Sequence, residues 1–349
     1  MEYILDRIAN APGELQGELN AKDFKADIDV RWCAGCGDYA ILASLQKVLP
    51  TLGIAKEKIC VVSGIGCSSR FPYYMSTYGF HSIHGRALAI ASGLKFARPD
   101  LSIWVPTGDG DCMSIGGNHF IHACRRNVDL NVIMFNNQIY SLTKGQYSPT
   151  SQPGQITKSS PFGVIDNPFN PVALALGAGA TFVARTMATD IRHLSQMIEK
   201  AAMHRGISYI EVYTNCVIFN DGAFNSMSDK KTQKDLIIKL ENGKPLTFGE
   251  NNDKGLKLDG FTPVVFDINS GNNSINDAIV HDENDSTLAY ILANMTYNPE
   301  LPRPFGIFQD IQKPIYDVEA NAQIARIQAK AGGIEDMNAL LKGADSWEI

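Results

Sequence analysis

The chain has 349 residues, of which 44% are hydrophobic and 19% are charged, and its formal net charge is −6. This acidic balance argues against a nucleic-acid partner. No apolar run reaches the roughly 18 residues of a membrane span and the N-terminus does not resemble a signal peptide, so we expect a cytoplasmic protein with no membrane contact.

The first segment, residues 1–26, is polar and is broken by Ala-Pro-Gly at residues 11–13, which predicts an N-terminal arm. The sequence Cys33-Ala34-Gly35-Cys36 follows it. A CxxC spacing brings two sulfurs onto one turn and is typical of redox, zinc and iron–sulfur sites alike. On these residues alone the three possibilities stay open.

Residues 27–235 alternate short apolar runs with segments of helical periodicity, and we predict that they form one domain. The runs have the length and β-branched content of buried parallel strands. The predicted strands are residues 58–63, 101–105, 130–135, 180–185 and 208–213. The predicted helices cover residues 41–49, a stretch that opens at 81–86, and residues 112–126, 171–179 and 191–201. This alternation predicts an α/β fold with a doubly wound, mostly parallel sheet.

One stretch places polar groups at two successive strand ends. Gly108-Asp109-Gly110 lies where a predicted strand ends and a helix begins, and Asn136-Asn137 ends the next strand. A Gly-x-Gly turn lets backbone N–H groups approach a phosphate, and strand carboxyl ends are where open α/β sheets bind ligands. Because a carboxylate beside a phosphate requires a cation between them, we expect Mg²⁺ there.

The GDG sequence, followed after 25 residues by NN, resembles the thiamine diphosphate-binding motif. The resemblance implies that Asp109, Asn137 and the backbone oxygen of Ile139 hold Mg²⁺ on the diphosphate. The alternative is a GDG turn that closes an ordinary βα unit.

Seven cysteines are too few for a disulfide framework at this length, so metal ligation is the better expectation in a reducing compartment. Four of them lie in predicted loops. These are Cys33, Cys36, Cys67 and Cys216. The other three, Cys60, Cys112 and Cys124, lie in predicted strands or helices and are expected to be buried small hydrophobes, although Cys112 directly follows GDGD and could also contact a cofactor.

Composition changes after residue 235. Residues 240–276 are polar and rich in Gly and Asn, and residues 285–294 and 318–331 are predicted helices. We expect residues 236–349 to form a C-terminal extension, a tail that contacts a partner or packs on the rim of the core.

Several motifs, in their order along the chain, resemble the β subunit of 2-oxoacid:ferredoxin oxidoreductases over roughly residues 30–225. They are WCAGCG (residues 32–37), GIGCS (64–68), HGRALAIASGLK (84–95), GDGD (108–111) with NN, KGQYSPT (144–150) and NCVIFND (215–221). NCVIFNDGAF and the later RPFGIFQDIQKPIYD are most similar to the 2-oxoglutarate type. Lys144, where many relatives have Gly, and the Asn-rich stretch near residues 250–276 depart from the pattern.

The resemblance implies a thiamine diphosphate-binding (PP-type) fold and a CoA-dependent oxidative decarboxylation, best matched to 2-oxoglutarate giving succinyl-CoA and CO₂. It implies thiamine diphosphate, Mg²⁺ and one [4Fe–4S] cluster held by Cys33, Cys36, Cys67 and Cys216. Coenzyme A is the implied co-substrate, and ferredoxin takes the electrons. A partner α (or fused γα) subunit would complete the active site in an αβ heterodimer or (αβ)₂ assembly, so the chain alone should be inactive.

Further site residues are predicted on the same loops. Arg70, three residues after Cys67, is our candidate for gripping the substrate carboxylate, because a guanidinium can bind it bidentately. The candidate cofactor contacts besides the metal ligands are Ile65, Ser68, His84, Gly108, Gly110 and Asp111. A surface arginine and a structural histidine are the alternatives for Arg70 and His84.

Three other functions stay open on the sequence. A pyruvate-type or broad-specificity member of the same family would carry the same motifs. A non-oxidative thiamine diphosphate decarboxylase or synthase subunit explains GDG and NN but leaves the four loop cysteines without a role. A zinc- or cluster-stabilised binding module leaves Asp109 and Asn137 without one.

Overall fold

The computed structural model describes residues 19–331 and 337–343. The helices are α1 (Asp38–Val48), α2 (Phe71–Tyr74), α3 (Ala87–Ala97), α4 (Asp109–Met113), α5 (Gly117–Arg126), α6 (Pro171–Gly177), α7 (Ile191–Met203), α8 (Asn225–Ser228), α9 (Gln233–Leu236), α10 (Ser286–Asn294), α11 (Tyr316–Ala331) and α12 (Met337–Lys342). The strands are β1 (Ile59–Ser63), β2 (Tyr78–His81), β3 (Ser102–Gly108), β4 (Asn131–Asn136), β5 (Phe182–Met187), β6 (Ser208–Tyr213), β7 (Ile237–Leu240), β8 (Thr247–Phe248), β9 (Lys254–Asp259), β10 (Thr262–Asp267) and β11 (Arg303–Asp310).

The main sheet has eight strands in the order β2-β1-β3-β4-β6-β5-β11-β7. Its strands pair in parallel, except that β11 runs antiparallel to β5. The α/β fold with a mostly parallel sheet is therefore confirmed. The central strands β4, β5 and β6 are buried along their whole length because helices cover both faces of the sheet.

Alternate strand residues point into two separate cores. Val62, Val132 and Met134 pack on one face with residues of α3, α5, α6 and α10. Val61 and Ile133 pack on the other face with residues of α1 and α7. The two-residue period of a strand produces this division. The result is a three-layer arrangement in which the carboxyl ends of the central strands are left for the loops.

Two predicted elements differ from the structure. The predicted helix 112–126 is split into α4 and α5, because the backbone leaves the helical conformation at Ser114 (φ −87°, ψ −105°). The stretch at 81–86 does not open a helix. It follows the exposed edge strand β2, and α3 begins only at Ala87.

The predicted domain boundaries stay predictions, but segments on both sides of the predicted central domain pack into the main sheet or its cores. Strand β11, beyond residue 235, lies inside the main sheet between β5 and β7 rather than on its rim. The predicted helices at 285–294 and 318–331 correspond to α10 and α11. Most of the predicted N-terminal arm lies outside the described residues, but Phe24 is fully buried in the second core.

Within the part of the chain that the structure describes, no helix is long and apolar enough to cross a membrane.

The position of β11 predicts that a larger residue at Gly306 destabilises the fold. Its φ is +129°, and a Cβ there would lie 2.5 Å from the Leu240 carbonyl oxygen on β7. We expect Gly306→Ala to lower the free energy of unfolding by about 2 kcal/mol or more. Gly243 also has a positive φ but faces open space, so Gly243→Ala should lose only about 1 kcal/mol. Equal losses in denaturant unfolding would contradict the close β7–β11 packing.

Candidate functional site

The carboxyl ends of β1, β3 and β4 meet at one cavity of about 140 Å³. This is the edge of the sheet at which the sequence predicts ligand binding. Its lining residues are Asp38, Ile65, Gly66, Cys67, Ser68, His84, Gly108, Asp109, Gly110, Asp111, Phe135, Asn137, Ile139, Tyr140, Ser141, Leu142 and Thr143. We call it the first cavity. It contains every residue predicted to bind thiamine diphosphate or its metal.

Asp109 is the first residue of α4 and is only 3% exposed. Its Oδ2 accepts hydrogen bonds from the hydroxyls of Ser148 (2.5 Å) and Thr150 (2.6 Å). Burial nevertheless raises the pKa of this carboxyl to about 6. A carboxylate desolvated to this extent favours a cation beside it, which agrees with a metal-ligating role.

Asn137 and Ile139 face the same cavity from the end of β4. Gln138 between them has a φ of +56°, and the Asn137 Oδ1 accepts a hydrogen bond from the Ile139 N–H (3.2 Å). This tight turn brings Ile139 back to the cavity. The predicted ligand set of Asp109, Asn137 and Ile139 therefore lines one space, as Mg²⁺ binding would require.

Packing requires the second glycine of the GDG turn but not the first. The Tyr140 hydroxyl donates to the Gly110 carbonyl oxygen (3.1 Å), and a Cβ at Gly110 would overlap the Tyr140 ring. A Cβ at Gly108 would lie 3.4 Å from the Ser68 hydroxyl. The ring of Tyr140 thus accounts for the second glycine.

Ser68 presents an unused polar group. Its Oγ is buried and has no hydrogen-bond partner within the described residues, and the residue lines the first cavity. Because a buried hydroxyl without a partner is costly, this atom is suited to meet a polar ligand.

Asp111 holds the loops of the first cavity together. Its carboxylate accepts from the backbone N–H of Ile65 (3.2 Å) and Gly85 (2.7 Å), from the Thr107 hydroxyl (3.0 Å), and pairs with His84 Nδ1 (2.5 Å). The structure thus brings Ile65, His84 and Asp111 together, with Asp111 bound mainly to protein groups.

A second cavity, of about 210 Å³, contains all four loop cysteines. Its lining residues are Arg31, Trp32, Cys33, Cys36, Asp38, Cys67, Arg70, Asn137, Ser141, Leu142, Lys144, Cys216, Val217, Ile218 and Phe219. Cys60, Cys112 and Cys124 are buried in a strand or helices and do not line it. No three His, Cys, Asp or Glu side chains in the described ranges converge closely enough to hold a single metal ion.

Local hydrogen bonds fix the conformation of the loops that carry Cys33, Cys36 and Cys67. The Cys36 N–H donates to the Cys33 carbonyl (3.1 Å), and Gly35 between them has a φ of +82°. The Trp32 indole donates to the Cys67 carbonyl (2.7 Å) and so ties the CxxC loop to the loop after β1. Together with the segments around residues 137–144 and 216–219, these two loops line the second cavity.

The two cavities share a wall. Five residues line both of them: Asp38, Cys67, Asn137, Ser141 and Leu142. The Cys67 sulfur lies 3.3 Å from the Ser141 hydroxyl within this wall. A group bound by the cysteines would therefore be next to a group bound in the first cavity.

The pKa shifts in the shared wall and in the neighbouring CxxC loop indicate that negative charge there requires a nearby cation. Burial raises the pKa of the Cys67 thiol to about 11, and burial followed by the nearby Asp38 raises the pKa of Cys36. Burial also raises the pKa of Asp38 to about 6. Thiolates at these positions thus require a compensating cation, which metal ligation supplies.

Arg70 lines the second cavity and not the first, although the Cys67–Arg70 turn joins the two. Lys144 lines the second cavity as well and has a φ of +74°. That left-handed backbone is the physical reason for glycine at this position in the family pattern.

Several residues of the site were not predicted as such. Asp38 follows directly after the CxxC-Gly sequence, and Ser148 and Thr150 lie in the KGQYSPT motif. Ser148 and Thr150 lie inside a quoted motif and Asp38 directly follows another, so their positions were an available signal. The contacts of Thr150 with Asp109 and Asn136 were not.

Residues 64–212 match the family model described as thiamine pyrophosphate enzyme, C-terminal TPP binding domain. The chain is 49% identical over 331 residues to the 2-oxoglutarate oxidoreductase subunit KorB of Mycobacterium tuberculosis. This match covers 94% of this chain and 88% of that protein. It is 46% identical over 205 residues to the 2-oxoacid:ferredoxin oxidoreductase subunit beta of Saccharolobus solfataricus, covering 58% of this chain and 67% of that protein.

The structure is similar to that of the 2-oxoglutarate:ferredoxin oxidoreductase from Magnetococcus marinus with 2-oxoglutarate, coenzyme A and succinyl-CoA bound. The TM-score is 0.74 at 33% sequence identity, and the match covers 94% of this chain and 97% of that chain.

Proposed function

The chain belongs to the β subunits of the 2-oxoacid:ferredoxin oxidoreductases, and from this membership we propose that it acts on 2-oxoglutarate. With CoA, the substrate gives succinyl-CoA, CO₂ and a proton, and two electrons pass singly to ferredoxin. The observation that carries the proposal is the wall shared by the two cavities. When bound, thiamine diphosphate supplies the electron sink for loss of CO₂, and an iron–sulfur cluster supplies one-electron transfer.

The first cavity fits the diphosphate and its metal. Asp109, Asn137 and the Ile139 carbonyl would hold Mg²⁺, since they line one space and consist of hard oxygen ligands. The unpartnered Ser68 hydroxyl is placed to meet a polar group of the cofactor. These residues bind and orient the cofactor.

The second cavity fits a [4Fe–4S] cluster. Cys33, Cys36, Cys67 and Cys216 surround a space instead of converging on a point, which suits the separated corners of a cluster better than one ion. Cys67, in the shared wall, would bring the cluster next to the reacting centre.

A partner α subunit would complete the site. The loop that begins with Ser148 and Thr150 at Asp109 continues to Phe162 and Ile165, which are 100% and 95% exposed. Large apolar side chains that are left this exposed on the loop support a covering partner. We propose that this partner completes the cofactor and CoA sites in an αβ or (αβ)₂ assembly, and the exposure of this loop argues against a self-sufficient decarboxylase.

The assignment of 2-oxoglutarate rests on similarity, whereas Arg70 supports only the broader class of 2-oxoacids. The M. tuberculosis relative is named for 2-oxoglutarate, and the M. marinus structure contains it. Arg70 lies next to the shared wall, where its guanidinium would grip the carboxylate that every 2-oxoacid carries.

Asp109→Ala should reduce Mg²⁺-dependent retention of thiamine diphosphate by roughly tenfold or more, because it removes a metal ligand. Cofactor content after dialysis of the complex is the measurement. Asp259→Ala, an exposed carboxylate on β9, is the control and should retain the cofactor. Full retention in the Asp109 variant would rule out the metal-ligand assignment.

Alanine at Cys33, Cys36, Cys67 or Cys216 should lower the iron and acid-labile sulfide of anaerobically purified complex and stop electron transfer to ferredoxin. Cys60→Ala and Cys124→Ala are matched controls, since these thiols are buried away from the second cavity. Iron loss in the Cys124 variant together with normal iron in the Cys216 variant would show the ligand set to be wrong.

Arg70→Ala should raise the KM for 2-oxoglutarate and pyruvate alike by roughly tenfold, the effect of losing about 1.4 kcal/mol of charge-assisted bonding. The exposed Arg98, which pairs with Asp100 just before β3, is the control. An unchanged KM for both acids would show that Arg70 does not bind the substrate. A KM raised only for 2-oxoglutarate would place Arg70 at the C5 carboxylate of that acid.

A further inference from the structure

A buried ion pair lies in the main sheet, on the two strands that follow β4 in the strand order. Arg185 on β5 and Glu211 on β6 are neighbours across the strands, and both side chains are fully buried. Arg185 Nε donates to Glu211 Oε2 (2.6 Å), and its other nitrogens donate to the Pro304 carbonyl (3.3 Å) and the Thr296 hydroxyl (3.0 Å). The guanidinium is thus fixed by β11 and its preceding segment.

The second oxygen of Glu211 orients an asparagine. Glu211 Oε1 accepts a hydrogen bond from Asn136 Nδ2 (2.7 Å). An ionised carboxylate can only accept, so the amide nitrogen of Asn136 must face it. The chemistry of the pair therefore decides which way the amide points and directs the Asn136 oxygen to the other side.

That oxygen contacts both segments that hold proposed metal ligands. We call them the Asp109 arm, which includes Thr150, and the second arm, which carries Asn137 and Ile139. Asn136 Oδ1 lies 3.0 Å from the Thr150 hydroxyl, which contacts Asp109. It also accepts from the Gln138 N–H (3.3 Å), which opens the turn that brings Ile139 to the cavity. One amide oxygen thus connects the Asp109 arm with the arm that carries Asn137 and Ile139.

We propose that Glu211, held by Arg185, is a positioning residue for the Mg²⁺–diphosphate site, acting by fixing the Asn136 amide so that its oxygen holds both arms. The inference rests on the proposed function, because it assumes that the first cavity binds the metal and the cofactor. It assigns a role to the first asparagine of the NN pair, which is not itself a proposed ligand.

Glu211→Gln tests the orientation with almost no change of shape. A glutamine that keeps its oxygen toward Arg185 presents an N–H₂ group to Asn136, so the Asn136 amide must turn over. Its nitrogen would then oppose the Gln138 N–H, and the turn would lose its acceptor. We expect the affinity for thiamine diphosphate at fixed Mg²⁺ to fall roughly 10- to 100-fold, the range for residues that orient metal ligands.

A paired substitution separates orientation from simple loss of stability. In the double variant Glu211→Gln with Asn136→Asp, the introduced carboxylate would accept from the introduced amide and still offer an oxygen to Thr150 and Gln138, at an unchanged net charge. We expect its affinity to return to within about threefold of wild type, while Asn136→Asp alone, which sets two carboxylates against each other, stays impaired. A purely structural role would instead lower the unfolding temperature of the single variants and leave the affinity of the folded complex unchanged.

The measurement is calorimetric titration of the cofactor-depleted αβ complex with thiamine diphosphate and Mg²⁺, with thermal unfolding recorded for each variant. If Glu211→Gln does not fold, Asn136→Leu replaces it; this change removes the oxygen that holds both arms, so the affinity should fall by a similar factor. Wild-type affinity in a folded Glu211→Gln or Asn136→Leu complex would overturn the inference alone. Failure of the wild-type complex to bind would overturn the proposed function as well.

Discussion

The site depends on one constraint, the burial of the Asp109 carboxylate at the carboxyl end of β3. Only 3% of the residue is exposed, and burial raises its pKa to about 6 although two hydroxyls donate to it. A charge in such surroundings is stable only with a cation or with strong donors. The loop after Tyr147 and the ends of β1 and β4 surround this carboxylate and enclose the first cavity, where we propose that a metal and a diphosphate bind.

The second cavity has the same need for a nearby cation, with buried thiols in place of a buried carboxylate. Burial raises the pKa of the Cys67 thiol, and Asp38 adds negative charge to the wall between the cavities. A positively charged inorganic core would relieve both. Because Cys67 belongs to both linings, a cluster there would need no long path for its electrons. The geometry therefore favours a chemistry that oxidises its substrate over one that only removes CO₂.

The residues explain which parts of this arrangement could be predicted. The strands were predictable because sheets covered on both faces are built from continuous apolar runs, and 208–213 matches β6 to the residue. Strand β11 was missed because Pro304 and Gly306 interrupt its pattern. Glu211 offered a signal, since a lone acid within an apolar strand must find a partner. Which partner it finds depends on Arg185 and Asn136 meeting across the sheet, and no local pattern contains that contact.

The most direct test of the account is electron paramagnetic resonance of the anaerobic αβ complex, mixed with 2-oxoglutarate and CoA in the absence of ferredoxin. We predict that 2-oxoglutarate and CoA, without any added reductant, produce the signal of a reduced [4Fe–4S] cluster in the wild-type complex. The signal should be absent in Asp109→Ala, which retains the cysteines, and in Cys67→Ala, which retains the metal-site residues. A wild-type complex that binds both cofactors and turns over but never shows the signal would contradict electron passage through the shared wall.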